Sequence, residues 1–592
     1  MKKLMFLSLL ALMGQFLVSN SLAADISATD TIIVTATRNE ISVDDAIVPV
    51  RVITRDDIEL SLASDLAELL RFEAGIDIGR NGGPGQATSV FMQGTESNHT
   101  LVLVDGVRIN PGTIGGAAVQ HLAPEMIERV EIVKGARSAL FGTDAIGGVI
   151  NIITRNADTP YAEASLGGGS FDSQSAHFSA GTNGEHGKVG ATVNWQVTDG
   201  YAPRLESDTE RGYDNLSLNL FGSREIGKSE VSLRHWHADG NVEYLDFFLS
   251  PVDQDYENTA TALQVDTPFG EAASSKLIAS HSVDEIRQQQ SPDFVKSSRK
   301  TLDWQYTHAL ARQTVTAGLY LVDENASAVS FGSGFDQDTD VRAVFIQDQV
   351  NIERHRAFAA LRLSDHEGFG NVTTWNAEYA FDLTRDWTVS AGLGRAFRAP
   401  DASDRFGFGG NPDLQPETSD SVQVGLRYSS GNRHRVDIEL YSNDLDDLIE
   451  FDFTTFTLVN IDKAEIRGGQ IAYEYRGDTF TLRSEYVRQN ADNIDGSRLL
   501  RRAEQSATLT YTQNIGAHRL GLAMLASGER EDFGGVTLDS YLIANLSLQL
   551  QLSDTLQLNA RIENLFDEHY QTAANFRMQE QSGFVELRYR WR

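Results

Sequence analysis

Two stretches of this 592-residue chain carry residue types at spacings that chemistry uses. Gly222-Ser223-Arg224-Glu225-Ile226-Gly227-Lys228-Ser229 fits G-x-x-x-x-G-K-[ST] letter for letter, the loop whose amides and lysine cradle nucleotide phosphates. Such a loop works only between a strand and a helix N-terminus. Here Leu216, Leu218 and Leu220 alternate with polar residues before it, and Val231, Leu233 and His235 alternate after it. The stretch therefore reads as a turn between antiparallel strands. The second feature is a crowd of carboxylates: Glu206, Asp208, Glu210, Asp214, Asp239, Glu243, Asp246, Asp253 and Asp255. Loops this rich in oxygen suit calcium, which takes about six to eight oxygen ligands. Two glycine-rich runs, Asn81 to Gln86 and Asn110 to Gly116, let backbone amides approach a bound molecule closely. No set of nucleophile, base and orienting group stands out, and the absence of cysteine excludes thiol chemistry and cysteine-based metal sites. With 83 acidic against 50 basic residues the formal charge is -33, which argues against a nucleic-acid partner.

The chain supplies several kinds of element to position these residues. Lys2 and Lys3 precede an apolar run from Leu4 to Val18, and Ser21-Leu22-Ala23 offers small residues for cleavage, so residues 1–23 read as a signal peptide for export. No later run reaches the ~18 apolar residues of a spanning helix, so membrane residence would require a β-barrel, the other structure that satisfies its backbone in lipid. Residues 24–39 contain DTIIVTATR (30–38), whose centre, Thr31 to Ala36, is nearly all β-branched. Such a segment is extended, and while unpaired it can add itself as a strand to a partner's sheet edge. Residues 40–156 read as a compact mixed α/β domain. Val48 to Thr54 and Leu101 to Val104 are its strands, and Ser64 is the expected cap of a helix that presents Leu66, Leu69 and Leu70 and ends before Gly75.

From 157 to 592 the period is two. Leu546, Leu548, Leu550 and Leu552 alternate with polar residues, as do Val436, Ile438 and Leu440, and as do Val585, Leu587, Tyr589 and Trp591. A soluble sandwich would bury one face of such strands and could also alternate, but Arg561, Glu563, Arg588, Arg590 and Arg592 are too costly to bury unless they face water or a polar filling. About 435 residues at roughly 20 per strand and connection give about 22 strands, a size at which the lumen is plugged. Tyr441, Phe566, Tyr570 and Tyr589 are expected in interfacial girdles.

The order and spacing of DTIIVTATR, LVLVDGVRIN (101–110), IERVEIVKG (127–135) and SALFGTDAIGGVINIITR (138–155) resemble the plug domain of TonB-dependent outer-membrane receptors, with the first run similar to their TonB box. FRAP (397–400), NPDLQPETS (411–419), NIDKAEIRGG (460–469) and ENLFDEHYQT (563–572) resemble barrel signatures of the same family. One departure is the ending, where Trp591 is followed by Arg592 instead of a terminal aromatic residue. The resemblance implies an all-β transmembrane barrel of about 22 antiparallel strands around an N-terminal mixed α/β plug, a monomer in the bacterial outer membrane and not an enzyme. Its implied partners are TonB with its inner-membrane energising complex, a small-molecule ligand, membrane lipid and lipopolysaccharide, and the outer-membrane assembly machinery. TonB would grip Asp30, Thr31, Ile32, Ile33, Val34, Thr35 and Ala36.

Within the family, residues 81–110, the Ile114-Gly115-Gly116 loop, Phe406 to Phe408 and Leu499 to Ala503 are most similar to the cobalamin, or corrinoid, transporters. That likeness implies ligand contacts at Ala87, Ser89, Glu96, Ile114, Gly115 and Arg501, with Gln86 and Asn110 beside them, although Ala87 and Glu96 depart from the subgroup's pattern. It also implies no covalent cofactor, with calcium at Asp208, Asp239 and Asp253 as a structural ion in extracellular loops; Ala202 and Arg211 fall where further acidic ligands would be wanted. A ferric siderophore is the alternative ligand. Haem is less favoured, because Asp401 to Gly410 holds no histidine. A passive porin or adhesin is the reading from another class, and it would have no use for a plug or a TonB box.

Overall fold

The computed structural model describes residues 33–34, 38–39, 41–43 and 45–591, apart from 331, 432 and 453. The expected signal peptide lies outside the described residues, as does Arg592.

Two short strands, β1 (Ile33–Val34) and β2 (Ile41–Ser42), pair antiparallel. The plug follows. Thr54 ends β3 (Val50–Thr54) and starts α1 (Arg55–Ser61) by a capping box, its side chain and that of Asp57 each accepting from the other residue's backbone N–H. The sequence reading missed this helix, although Thr-x-x-Asp is an acidic version of the box. Helix α2 (Leu66–Leu70) is capped by Asp65, which accepts from the Glu68 amide at 2.9 Å. The expectation of Ser64 is corrected by one residue: the Asp65 carboxylate also pairs with Arg80 at 2.7 Å, which a serine cannot do. Gly75, at φ +75, then turns the chain into β4 (Ile76–Arg80), which pairs with β5 (Thr88–Met92). The main plug sheet adds β6 (Thr100–Val104), β7 (Val107–Arg108), β8 (Ile127–Lys134) and β9 (Gly148–Thr154) in the order β3-β8-β9-β6-β7, with β6 and β9 parallel. A short helix, α3 (Ser138–Phe141), lies between β8 and β9. Leu66, Leu70, Met92, Leu122, Ile127 and Ile150 form a core with almost no exposure.

Among the described residues, 22 antiparallel strands from Tyr161–Gly169 to Ser582–Arg590 close into a barrel, with the seam in register from Glu163↔Arg590 to Gly169↔Phe584. The period-2 reading decides which side chains face lipid. Leu319, Leu321, Val344, Ile346, Leu361 and Leu363 are exposed on the outer wall, while the alternate residues Thr316, Gln347 and Arg362 are buried inside. Gly227 and Lys228 form a tight turn with Ile226 opposite Ser229, so the nucleotide-like run is a hairpin.

The plug fills the lumen, and the charged residues of the last strands meet it. Glu59 on α1 takes Arg590 at 2.6 Å and Arg588 at 3.7 Å, while Arg561 pairs with Glu563 at 3.2 Å. Two aromatic residues expected in the girdle face inward instead. Tyr441 follows outward-facing Leu440, so the period turns it into the lumen, where its hydroxyl donates to Gln489 at 2.9 Å. Tyr570 folds over the plug in the 564–581 loop, packs its ring at a tilt against Tyr541 with centroids 4.5 Å apart and accepts from Arg71 at 3.2 Å. Phe566 and Tyr589 are exposed.

His121 joins plug to wall, its ring stacked on Tyr256 at 3.6 Å with Nδ1 3.1 Å from the Tyr213 hydroxyl. Burial, aided by the Arg80 charge, pushes its pKa down to about 3 from the ordinary 6.5. Below pH 6.5 the unfolded chain therefore binds a proton that the folded chain refuses. Stability should fall by up to about 1.4 kcal/mol per pH unit as pH drops from 6.5 towards 3. Urea unfolding at several pH values should show a shallower slope over this range for His121→Gln; an unchanged slope would refute it.

Candidate functional site

The long connections, 399–416, 494–504, 528–540 and 564–581, share one end of the barrel, and short turns such as 227–228, 311–312 and 353–354 the other. The plug loops 81–87 and 110–116 point towards the long-loop end, since Arg501 of one long connection donates to Asn81 Oδ1 at 3.3 Å.

Asn110 builds the second plug loop. It is fully buried, accepts from the Val102 amide at 2.7 Å and donates to the Thr100 and Gly115 carbonyls at 3.0 and 2.8 Å. Its side chain is thus spent on loop shape. Gly115, at φ +69, packs so closely that a Cβ would lie 2.9 Å from Asn98 Cβ and 3.3 Å from Asp401 Oδ2. This fold thrusts Ile114 outward, 49% exposed. Gly115→Ala should cost about 1–2 kcal/mol from the left-handed backbone alone and weaken ligand binding by displacing Ile114. A titration with affinity equal to wild type would count against that role.

Gln86 is likewise buried and donates to the Glu243 carbonyl at 3.1 Å, while Ala87 is exposed and Ser89 half-buried. Glu96 is held in an ion pair with Arg502, whose guanidinium lies 4.5 Å over the Phe91 ring. Arg501 pairs with Asp532 at 2.8 Å and stacks 5.2 Å over Phe533. Of the residues expected at a ligand, Ala87 and Ile114 are exposed and Ser89 is partly so, whereas Gln86, Asn110, Glu96 and Arg501 are engaged in holding loops. Around them Phe247, Phe248, Phe408, Phe456, Ile494 and Phe533 expose apolar surface from the surrounding loops. Apart from Phe408, which lies in the 406–408 run, these residues were not singled out from the sequence, because an apolar residue in a loop carries no period.

The three aspartates expected at calcium are apart in their pairings. Asp208 pairs with Arg577 at 3.5 Å, Asp239 with His237 at 2.9 Å, and Asp253 accepts from Gln290 at 2.9 Å. Among the described residues no group of three or more potential ligands converges.

Below the apex a buried charge network ties plug to wall. Arg398 reaches Glu417 at 2.8 Å, Asp401 at 3.0 Å and Asp404 at 2.7 Å, and Glu417 also meets His99 Nε2 of the plug at 3.0 Å. His99 Nδ1 accepts from the Glu96 amide at 3.3 Å, so Nε2 carries the proton that Glu417 receives.

At the opposite end, Ile33 and Val34 are extended but paired, opposite Ser42 and Ile41. The expectation of an unpaired segment is corrected here: its main chain must leave β2 before it can join another sheet. Asp30, Thr31, Ile32, Thr35 and Ala36 lie outside the described residues. Arg38, the next described residue, is wedged between plug and wall. It donates to the Leu140 carbonyl, pairs with Asp303 at 2.8 Å and sits over the rings of Phe141 and Phe345 at 5.1 and 4.5 Å. Anything that draws β1 away pulls directly on this wedge.

A closed barrel of this size, corked by a folded domain that carries a strand at one end and an apolar-rimmed apex at the other, defines a plugged outer-membrane receptor. Family comparison agrees. Residues 141–565 match the model for the TonB dependent receptor-like β-barrel and residues 42–149 that for the TonB-dependent receptor plug domain. The chain belongs to the TonB-dependent receptor family. It is a bacterial outer-membrane protein whose class works with TonB and a small-molecule ligand. It is 31% identical over 579 residues to the vitamin B12 transporter BtuB of Vibrio vulnificus, covering 93% of each chain, and 29% identical to that of Photobacterium profundum, covering 97% of each. Solved structures with the same fold include the siderophore receptor PirA from Acinetobacter baumannii (TM-score 0.78, 17% identity, 92% of this chain and 98% of that one) and the ferric-catecholate import receptor Fiu from E. coli (0.79, 14%, 93% and 98%).

Proposed function

We propose that this receptor binds cobalamin or a related corrinoid at the plug apex and imports it into the periplasm with energy delivered through TonB, acting as a monomer and without catalysis. The likeness to vitamin B12 transporters over nearly the whole chain carries this reading. The rim supports it. Phe247, Phe248, Phe408, Phe456 and Phe533 offer apolar contact to a large organic ligand, whereas a strongly anionic ferric catecholate would favour a basic mouth. Ala87, Ser89 and Ile114 are assigned to direct contact, with Gly115, Gln86, Asn110, Glu96 and Arg501 as the residues that position their loops. Ligand at the apex shifts the population in which β1 is released from β2, and TonB then pairs with residues 30–36.

The test is binding of purified protein to cyanocobalamin, ferric enterobactin and haem. Saturable binding of cyanocobalamin tighter than about 1 μM, with neither competitor matching it, is expected; preference for either iron ligand would overturn the assignment. Calcium is proposed to order the loops carrying Asp208, Asp239 and Asp253, which would have to leave their present partners. Calorimetry without heat on calcium addition, in the presence and absence of cyanocobalamin, would remove it.

A further inference from the structure

A cavity of about 310 Å3 lies between the plug and the wall made by strands Gln313–Ser330, Ser333–Ile352, His355–His366, Gly370–Asp382 and Trp387–Arg398. Loop 110–116 forms its lip through Pro111, Gly112 and Gly115, so the cavity opens beside the apex. Its charged groups are mostly matched. Arg108 pairs with Asp144, Arg299 with Glu324 at 2.6 Å, and Arg398 with its three carboxylates.

Among the described residues, half-buried Arg405 lies over the rings of Phe369 and Phe406 and has no carboxylate partner, and Arg362 is the one fully buried cation in the lining that is left unmatched. It is 1% exposed, its Nε donates to Ser364 at 3.1 Å and its guanidinium lies 4.8 Å over the Tyr320 ring. Among the described residues no carboxylate comes within ion-pair distance, and Nη1 has no hydrogen-bond partner. Thr374 lies directly opposite Arg362 in the neighbouring strand, lines the same cavity, and has a buried hydroxyl that is also unpartnered. Gly142, at φ +88, brings the plug backbone against Arg362: a Cβ there would lie 3.3 Å from Arg362 Nη2. A guanidinium buried without a counter-ion is costly to keep, and two buried donors converging on a cavity form a receptor for an anion. Phe141, Tyr320 and Phe397 line the surroundings, which suits an organic body better than a hydrated free ion. One fully buried unmatched cation suits one negative charge.

We propose that this cleft is a second ligand site, in which Arg362 and Thr374 receive a singly charged phosphodiester carried by the ligand as it descends from the apex. The cavity is at the small end of ligand pockets, so it takes one arm of a large ligand and not the whole. The inference rests on the corrinoid reading in one respect: cobalamin carries one phosphodiester in its nucleotide arm, and cobinamide carries none.

Uptake by cells carrying full-length wild-type, Arg362→Gln or Thr374→Val protein tests it, with cyanocobalamin and dicyanocobinamide as probes. The ratio of cyanocobalamin to dicyanocobinamide uptake is expected to fall about tenfold for Arg362→Gln, the loss of one charge-assisted contact, and by less for Thr374→Val. An unchanged ratio in both variants overturns the proposal. Calorimetry on the purified full chain separates this outcome from the corrinoid assignment. Diethyl phosphate should give heat with wild type that both variants lose, and this result would stand even if no corrinoid bound. Heat from inorganic phosphate but not from diethyl phosphate, or from neither, overturns the phosphodiester site.

Discussion

Cells carrying Ile33→Pro are expected to bind ligand as wild type does and to import none above background. Proline lacks the amide donor and fixes φ, so it cannot serve as an interior residue of an added strand. Ile33 lies in β1, at the end of the receptor away from the apex loops. The same substitution weakens the pairing with Ser42, so β1 should be released more readily in the variant, not less. Loss of uptake would then report failure to engage TonB and not failure to detach. Uptake at the wild-type rate would exclude strand addition at this position. A companion change, Asp303→Asn, removes the charge that holds Arg38 and should leave uptake working while making the segment easier to cleave by added protease.

The second large effect is on stability. Arg398→Ala leaves buried Glu417 and half-buried Asp401 and Asp404 without their shared cation, and breaking a buried ion network from one side costs about 3–5 kcal/mol. Urea unfolding followed by tryptophan fluorescence should show that loss, with Arg398→Lys in between, because an ammonium cannot present the fork that reaches three carboxylates. A change below about 1 kcal/mol, the size of an exposed pair, would mean that the network is solvated.

That network shows where sequence reading stops. Period-2 alternation made the barrel legible, since a strand's parity alone puts Leu361 and Leu363 in lipid and Arg362 in the lumen. Applied consistently, the same parity would have placed Tyr441 inside, one residue after outward-facing Leu440. The motifs FRAP and NPDLQPE were visible as strings, but not that Arg398 and Glu417 meet each other and His99, which is 318 residues from Glu417 in the chain. Pairings between a plug and the wall around it depend on how the plug is rotated in the lumen, and no local pattern encodes that. Glu96 and Arg501 were read as ligand contacts because their neighbours resemble a ligand-binding subgroup; their partners Arg502 and Asp532 became apparent only in three dimensions. Asp65 displaced Ser64 as a cap because a distant arginine, Arg80, rewards the carboxylate.

The contacts of Glu59 bear on how the molecule is built. The barrel's first and last strands meet at Glu163 and Arg590, which lie 3.1 Å apart, and Arg590 also holds Glu59 of the plug at 2.6 Å. The seam is thus welded partly through its cargo. A shell lacking the N-terminal domain would keep the main-chain register of this joint from Glu163 to Gly169 and lose the clasp that Glu59 adds beside it.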